Sequence, residues 1–210
     1  MPLSALKHVA EAALRYDAWV LSDEIYTRLI YQDEPVPSIA ALPGMAERTI
    51  ICDGFSKTYA MSGWRLGYGV MPVPLADKVA LLTTHSVGCT ADFTQYAGLE
   101  ALLGPQEQVD VVVAEYQRRR DVLVDALNAM EGVSCLLPQG AFYTFPNVSS
   151  FGRSSEWLAD YLLSEAGVAV LPGTSFGGYG EGYLRLCFAT SLDSIQKATT
   201  RIASALYKLT

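Results

Sequence analysis

A chain of 210 residues, half of them hydrophobic, is near the upper length for one domain or can form two small ones, and it can bury a sizeable core. Its net charge of -7 argues against non-specific nucleic-acid binding, which calls for a basic face. Cys52, Cys89, Cys135 and Cys187 form no Cys-x-x-Cys pair, and three of them lie in apolar runs, so reduced core cysteines are expected and neither a disulfide framework nor a metal site.

The N-terminal residues lack a basic head followed by an apolar stretch, and no apolar run reaches the length of a membrane span. A cytoplasmic protein without a membrane partner is therefore expected. Leu3, Leu6, Val9, Ala10, Ala13 and Leu14 fall at helical spacing and predict an amphipathic helix over 3–16. The apolar run 18–22 reads as a buried parallel strand delivering Asp23-Glu24-Ile25-Tyr26 at its C-terminal end. Pro35, Pro37, Pro43 and Gly44 mark 27–48 as a loop with room for one short helix. A second strand is predicted at 49–52 and a third at 66–71, where Pro72 and Pro74 end it and open a helix to about His85.

Helix returns over 93–103, Gly104-Pro105 punctuates, and an apolar set in helical phase continues from 105 to about 130, long enough to bridge two domains. Beyond it come strands at 133–136 and 141–146, a helix at 154–166, strands at 168–171 and 183–188, and a helix at 191–209. That order is α/β in the first part and α+β in the second, with domains at 1–104 and 105–210.

The stretch Asp53-Gly-Phe-Ser-Lys57-Thr-Tyr-Ala-Met-Ser-Gly-Trp-Arg65-Leu-Gly-Tyr-Gly69 is the chemical centre of the sequence. It comes after a strand, and in open α/β sheets ligand sites collect at strand ends. A partly desolvated lysine there can lose its proton near neutral pH and attack a carbonyl to form a Schiff base. On the preceding strand end, alternation of side chains points Asp23 to one face and Glu24 to the other, toward a structural contact. Arg185 stands alone in an apolar strand, a costly place for a charge unless it is paired with an acid or meets a ligand.

Ser56-Lys57-Thr-Tyr-Ala-Met-Ser-Gly-Trp-Arg65-Leu-Gly resembles the cofactor-lysine signature of the class I/II, fold-type I, pyridoxal-phosphate aminotransferases, of the aspartate/aromatic kind. The resemblance implies that Lys57 carries pyridoxal 5'-phosphate as an internal aldimine and that Arg65 binds its phosphate. Asp23 would partner the ring nitrogen, Tyr26 the phenolic oxygen and Ser56 the phosphate, although a local turn bond explains Ser56 nearly as well. Arg185, in Glu181-Gly-Tyr-Leu-Arg-Leu-Cys-Phe, is similar to the family arginine that grips the substrate α-carboxylate. Gly140-Ala-Phe-Tyr143 and Leu171-Pro-Gly-Thr-Ser-Phe176 also resemble family segments, but their aromatic side chains are expected in the core. Neither His85 nor Gln95, in a stretch similar to one that approaches the cofactor, is assigned a role.

The same resemblance implies an enzyme passing an α-amino group from an amino acid to a 2-oxo acid, with a homodimer as its working form. The fold implied is a partial fold type I: a remnant of the large, mainly parallel-sheet domain plus a small C-terminal α+β domain. The likeness spans the chain but only the C-terminal half of a family member. Missing with the N-terminal half are a phosphate-cradling helix N-terminus and the aromatic ring that stacks on the cofactor. Two other readings keep the same residues: a β-eliminating carbon–sulfur lyase, and a non-catalytic fragment or ligand-sensing remnant.

Overall fold

The computed structural model describes residues 1–32 and 36–209. Pro35, one of the expected loop breakers, lies outside the described residues. Two compact units make up the chain, Met1–Asp110 and Val111–Thr210.

In the first unit, helix α1 (Leu3–Arg15) buries Leu6, Ala10 and Ala13 against Ile39 and Met45, with Val20 and Leu42 at the edge of the cluster. Burial of each large side chain contributes about 1.5–3 kcal/mol, so this stripe docks the helix on the loop before the second strand. The chain leaves α1 through Asp17 in the left-handed region at φ 51°, and the Asp17 carboxylate accepts from Arg48 Nη1 at 2.9 Å. Next come three strands, β1 (Val20–Asp23), β2 (Thr49–Gly54) and β3 (Gly67–Val70), in the spatial order β1-β2-β3. The first pair is parallel, with Asp23 opposite Cys52. The second is antiparallel, because the link from β2 to β3 holds only turns and the short 3-10 helix Ser62–Trp64, not the crossover helix that parallel strands need. Two 3-10 turns, Ile39–Ala41 and Ala46–Arg48, stand in the loop where one short helix is predicted.

Helices α2 (Val73–Ser86) and α3 (Asp92–Leu103) complete this unit. Helix α2 buries no residue, and Leu82, Val87, Phe93 and Leu103 are 67–78% exposed. Such a run of apolar groups in water marks a surface built to be covered. Helix α4 (Glu107–Asn128) starts in the first unit, and the division between units falls after Asp110.

The second unit carries a small antiparallel sheet in the order β4-β6-β5, from β4 (Tyr143–Thr144), β5 (Leu171–Pro172) and β6 (Leu184–Cys187). Ser154 Oγ caps α5 (Ser155–Tyr161) by accepting from the Trp157 N–H at 3.2 Å. The helix predicted to run to 166 instead widens to a π-turn over Leu162–Ala166, closed by Gly167 at φ 62°. Ser191 caps α6 (Leu192–Tyr207) through the Ser194 N–H at 3.1 Å, and Ile195, Thr199 and Ile202 lie on its buried stripe.

Two further sequence expectations give way to the structure. The strand predicted at 133–136 is reduced to a single bridge, Ser134 with Asn147. Asn128 explains it: its Oδ1 accepts from the Cys135 N–H at 2.7 Å and its Nδ2 donates to the Cys135 carbonyl at 3.0 Å, so a helix side chain consumes the groups a ladder would use. Of the cysteines expected in the core only Cys135 is buried; Cys52 is half-buried, while Cys89 and Cys187 are exposed. The alternation of β6 turns Leu184 and Leu186 inward and leaves Arg185 and Cys187 on the other face. Asn128→Leu leaves both Cys135 backbone groups unpaired and is expected to cost about 1–3 kcal/mol, read as a fall in the urea midpoint at unchanged slope.

Candidate active site

The parallel pairing of β1 and β2 sets two turn segments side by side at their C-terminal ends. The Glu24 N–H donates to the Cys52 carbonyl at 2.8 Å, carrying the register one residue past β1. Asp23 then ends the strand with its carboxylate exposed and Oδ1 accepting from the Ile25 N–H at 3.2 Å. Glu24 faces away into a structural contact, where its Oε1 accepts from Ser22 Oγ at 3.0 Å and Ser38 Oγ at 2.6 Å. Tyr26 lies in the next turn, and Lys57 Nζ stands 6.0 Å from the centre of its ring. A strand-end lysine and a strand-end tyrosine from different sequence segments are thus neighbours.

Buried Phe55 anchors the Lys57 loop. Its carbonyl accepts from the Tyr59 N–H at 3.3 Å and the Met61 N–H at 3.2 Å, and its own N–H donates to Leu66 O at 3.2 Å. The ring packs on Tyr59 and Tyr68 with centroids 5.7 and 5.9 Å away. Gly54 has no room for a side chain: a Cβ there would lie 2.9 Å from the Gly67 Cα, so glycine is what lets β2 and β3 close up before the loop. Ala60 and Arg65 both adopt positive φ, 53° and 55°, a conformation that non-glycine residues occupy at a cost of about 1–3 kcal/mol and that clusters at functional sites. Arg65 is exposed and donates from Nη1 to the Ser62 carbonyl at 2.8 Å. Among the described residues the half-buried Ser56 hydroxyl makes no hydrogen bond, so the local turn bond weighed for it is not formed.

The predicted residues do not all line one depression. Arg65 lines an open cleft of about 1280 Å³ with Trp64, Cys89, Thr90 and Gln95, whose Nε2 donates to the Thr90 carbonyl at 2.8 Å. Asp23 and Tyr26 line another of about 420 Å³, beside Ser22 and Ile30, and Lys57 lines neither.

In the second unit Arg185 is half-buried, and its guanidinium carbon sits 4.5 Å from the Tyr143 ring centre and 4.1 Å from that of Phe176. No carboxylate pairs with it among the described residues. Cation–π contact with two rings uses none of the guanidinium's N–H donors, which suits recognition of an anion. Tyr143 and Phe176, expected in the core, are therefore contacts of the arginine. Their segments were visible in the sequence; the stacking was not.

Sequence reasoning also missed the pair at the root of the lysine loop, where Tyr68 Oη donates to Asp53 Oδ2 at 2.9 Å and the Gly54 N–H donates to Asp53 Oδ1 at 2.6 Å.

The profile described as "Aminotransferase class I and II" matches residues 1–202. The chain belongs to the class I and II aminotransferases. It is 46% identical over 205 residues to the "Putative aminotransferase YugH" of Bacillus subtilis, covering 98% of this chain and 53% of that one. It is 42% identical over 203 residues to an aspartate aminotransferase of Pyrococcus horikoshii, covering 95% and 51%. Among solved structures, the aromatic aminotransferase from Pyrococcus horikoshii superposes with a TM-score of 0.96 at 38% identity, over 100% of this chain and 57% of that one. The chain spans about half the length of the curated relatives it matches, and its architecture is part of the fold-type I aminotransferase fold.

In this aminotransferase chain the phenol of Tyr68 is pushed up from 10.0 to about 12, first by partial desolvation of a side chain that stays 42% exposed and then by the hydrogen bond to Asp53 and that carboxylate's charge. The neutral phenol is thus favoured by the fold. Its contribution is present in full below the unfolded value of 10.0 and is lost as pH rises through about 12. Tyr68→Phe is expected to flatten the alkaline fall in stability in that window, measured as urea midpoints against pH; an unchanged slope would remove Tyr68 as its source.

Proposed function

We propose that this chain is the lysine-bearing part of an aminotransferase that moves an α-amino group from an amino acid to a 2-oxo acid with pyridoxal 5'-phosphate as cofactor. The observation that carries the reading is the parallel β1/β2 junction, which sets Lys57 Nζ over Tyr26 within a chain whose first 202 residues match the family.

The side chains present fit such a cofactor. Lys57 offers an amine for an aldehyde, Asp23 an exposed carboxylate for a protonated ring nitrogen, and Tyr26 a phenol for a ring oxygen. Ser56, with no protein hydrogen bond among the described residues, and the exposed guanidinium of Arg65 suit a phosphate. When bound, the cofactor supplies an electron sink for the amino-acid Cα. Asp23 would hold the ring nitrogen proton by an attraction of about 4 kcal/mol at 4 Å and an effective dielectric near 20. Lys57 Nζ would hold the cofactor and carry a proton as general base and then acid. Arg185 would orient the substrate by its carboxylate, its guanidinium plane already held by Tyr143 and Phe176.

Amino-acid and 2-oxo-acid substrates and a homodimeric, cytoplasmic enzyme complete this reading. The exposed apolar groups of α2 and α3 support association, and the four free thiols support a reducing compartment. Among the described residues no helix is long and apolar enough to cross a membrane. The relatives above carry aminotransferase names, which favours amino-group transfer over carbon–sulfur elimination.

Adding pyridoxal phosphate, reducing with borohydride and mapping peptides is expected to mark Lys57. Lys57→Ala should abolish the mark, and a mark that persists or falls on another lysine would overturn the assignment. Arg185→Ala should keep the mark and weaken amino-acid binding about 10- to 100-fold, measured by spectral titration.

A further inference from the structure

We infer that Gln106 is a positioning residue for Lys57, acting through the hydroxyl of Tyr59. Gln106 stands just before α4, and its carbonyl accepts from the Val109 N–H at 2.9 Å, so it occupies the helix-capping position. Serine, threonine, aspartate and asparagine are the usual residues there, because their short side chains reach back to the helix's own N–H groups. Glutamine is a poor choice for that task, and here its side chain does another.

Gln106 Nε2 donates to the Ala101 carbonyl at 3.0 Å and to the Gly104 carbonyl at 2.8 Å. Both lie at the C-terminal end of α3, where helix carbonyls have no partner within the helix. Gln106 Oε1 accepts from Tyr59 Oη at 3.2 Å and from Arg28 Nη1 at 3.4 Å. Two donor hydrogens and two acceptor lone pairs are the whole capacity of a primary amide, and each is matched. A weaker ion pair, Arg28 Nη2 with Asp110 Oδ1 at 3.9 Å, lies alongside.

This one amide joins the end of α3 and the start of α4 to the loop that carries Lys57 and to Arg28, two residues after Tyr26. Tyr59 is two residues beyond Lys57, and its N–H closes on the Phe55 carbonyl, while the Ala60 N–H donates to the carbonyl of Lys57 itself at 3.3 Å. The loop is therefore held before the lysine by buried Phe55 and after it by the Tyr59 hydroxyl. Without the second anchor the loop keeps its backbone bonds, buried Thr58 and Met61 and the Tyr59–Phe55 ring contact, but loses its side-chain hydrogen bond to the residue before α4, and Lys57 Nζ gains freedom relative to Tyr26. The inference rests on the reading of Lys57 as the reactive amine, but its test does not require cofactor chemistry.

The experiment compares Gln106→Leu, Gln106→Glu, Tyr59→Phe and the Tyr59→Phe/Gln106→Leu double variant in the 210-residue chain. Amide hydrogen exchange is read by peptide, and the rate of reductive methylation of Lys57 by formaldehyde and cyanoborohydride is read by peptide mapping. Gln106→Leu and Tyr59→Phe are each expected to raise exchange over 55–61 by about 10-fold and to change the Lys57 labelling rate by a similar factor, with exchange in the second unit unchanged. The double variant should go no further than either single, because both remove the same bond. Gln106→Glu keeps an acceptor for Tyr59 and loses the donors to α3, so protection of 55–61 should be retained. Equal loss in Gln106→Glu and Gln106→Leu would make the residue a helix clasp only and overturn the inference. So would additive effects in the double variant or an unaltered loop in Tyr59→Phe. If the tether holds while pyridoxal phosphate fails to mark Lys57, the proposed function falls and the tether stands.

Discussion

The parallel pairing of β1 with β2 is the constraint on which the rest of the first unit depends. Side chains alternate along a strand, so a slip of one residue would turn Asp23 to the other face and carry the Tyr26 turn out of line with the Lys57 loop. The register is held from both sides. Helix α1 docks its apolar stripe on Ile39 and Met45 just before β2, and Glu24 collects the hydroxyls of Ser22 and Ser38 beside β1. Gly54 and Gly67 close the antiparallel edge tightly enough for the loop to begin at a defined point. Local strain at Ala60 and Arg65 is then tolerated, because buried Phe55 and the ladder on either side over-determine the path between them.

Arg185 poses the opposite problem in the second unit. A charge on a short strand of an apolar sheet needs compensation, and the usual solution is a carboxylate. A paired arginine would be neutralised and of little use to an incoming acid. Stacking between Tyr143 and Phe176 compensates through the π-faces and spends none of the N–H donors. The same side chain is thereby fixed in orientation and left electrostatically open.

The apolar groups along α2 and α3 show a fold that is only partly self-sufficient. The first unit buries one cluster around α1 and further residues such as Leu29, Phe55, Met61 and Val109, while α2 buries none. The curated relatives it matches are about twice as long. Within the described residues the lysine loop does not wait for those apolar groups to be covered. Its anchors, Phe55, Leu66 and the Tyr59–Gln106 bond, are internal to the unit.

Most of the element order was legible in the sequence, because long runs in helical phase and apolar runs bounded by proline and glycine mark helices and strands, although the burial expected for β1 is not met, with Leu21 70% exposed. Helices α1, α2, α3, α4 and α6 and strands β1 to β3 obey those patterns to within a residue or two. Short strands of the second unit were less legible: Asn128 diverts the backbone groups of Cys135, a side-chain event that apolar periodicity does not record. By itself the sequence determined the family, the residue types for an amine, a carboxylate, a phenol and two guanidinium groups, and the strands and loops from which they come. Tertiary structure decided which of them meet. Lys57 and Tyr26 become neighbours through a parallel register, Arg185 is held by aromatic faces, and Gln106 reaches a tyrosine 47 positions earlier in the chain. Each of these is a contact between residues distant in sequence, set by packing, and a local pattern of residue types carries no information about its distance or direction.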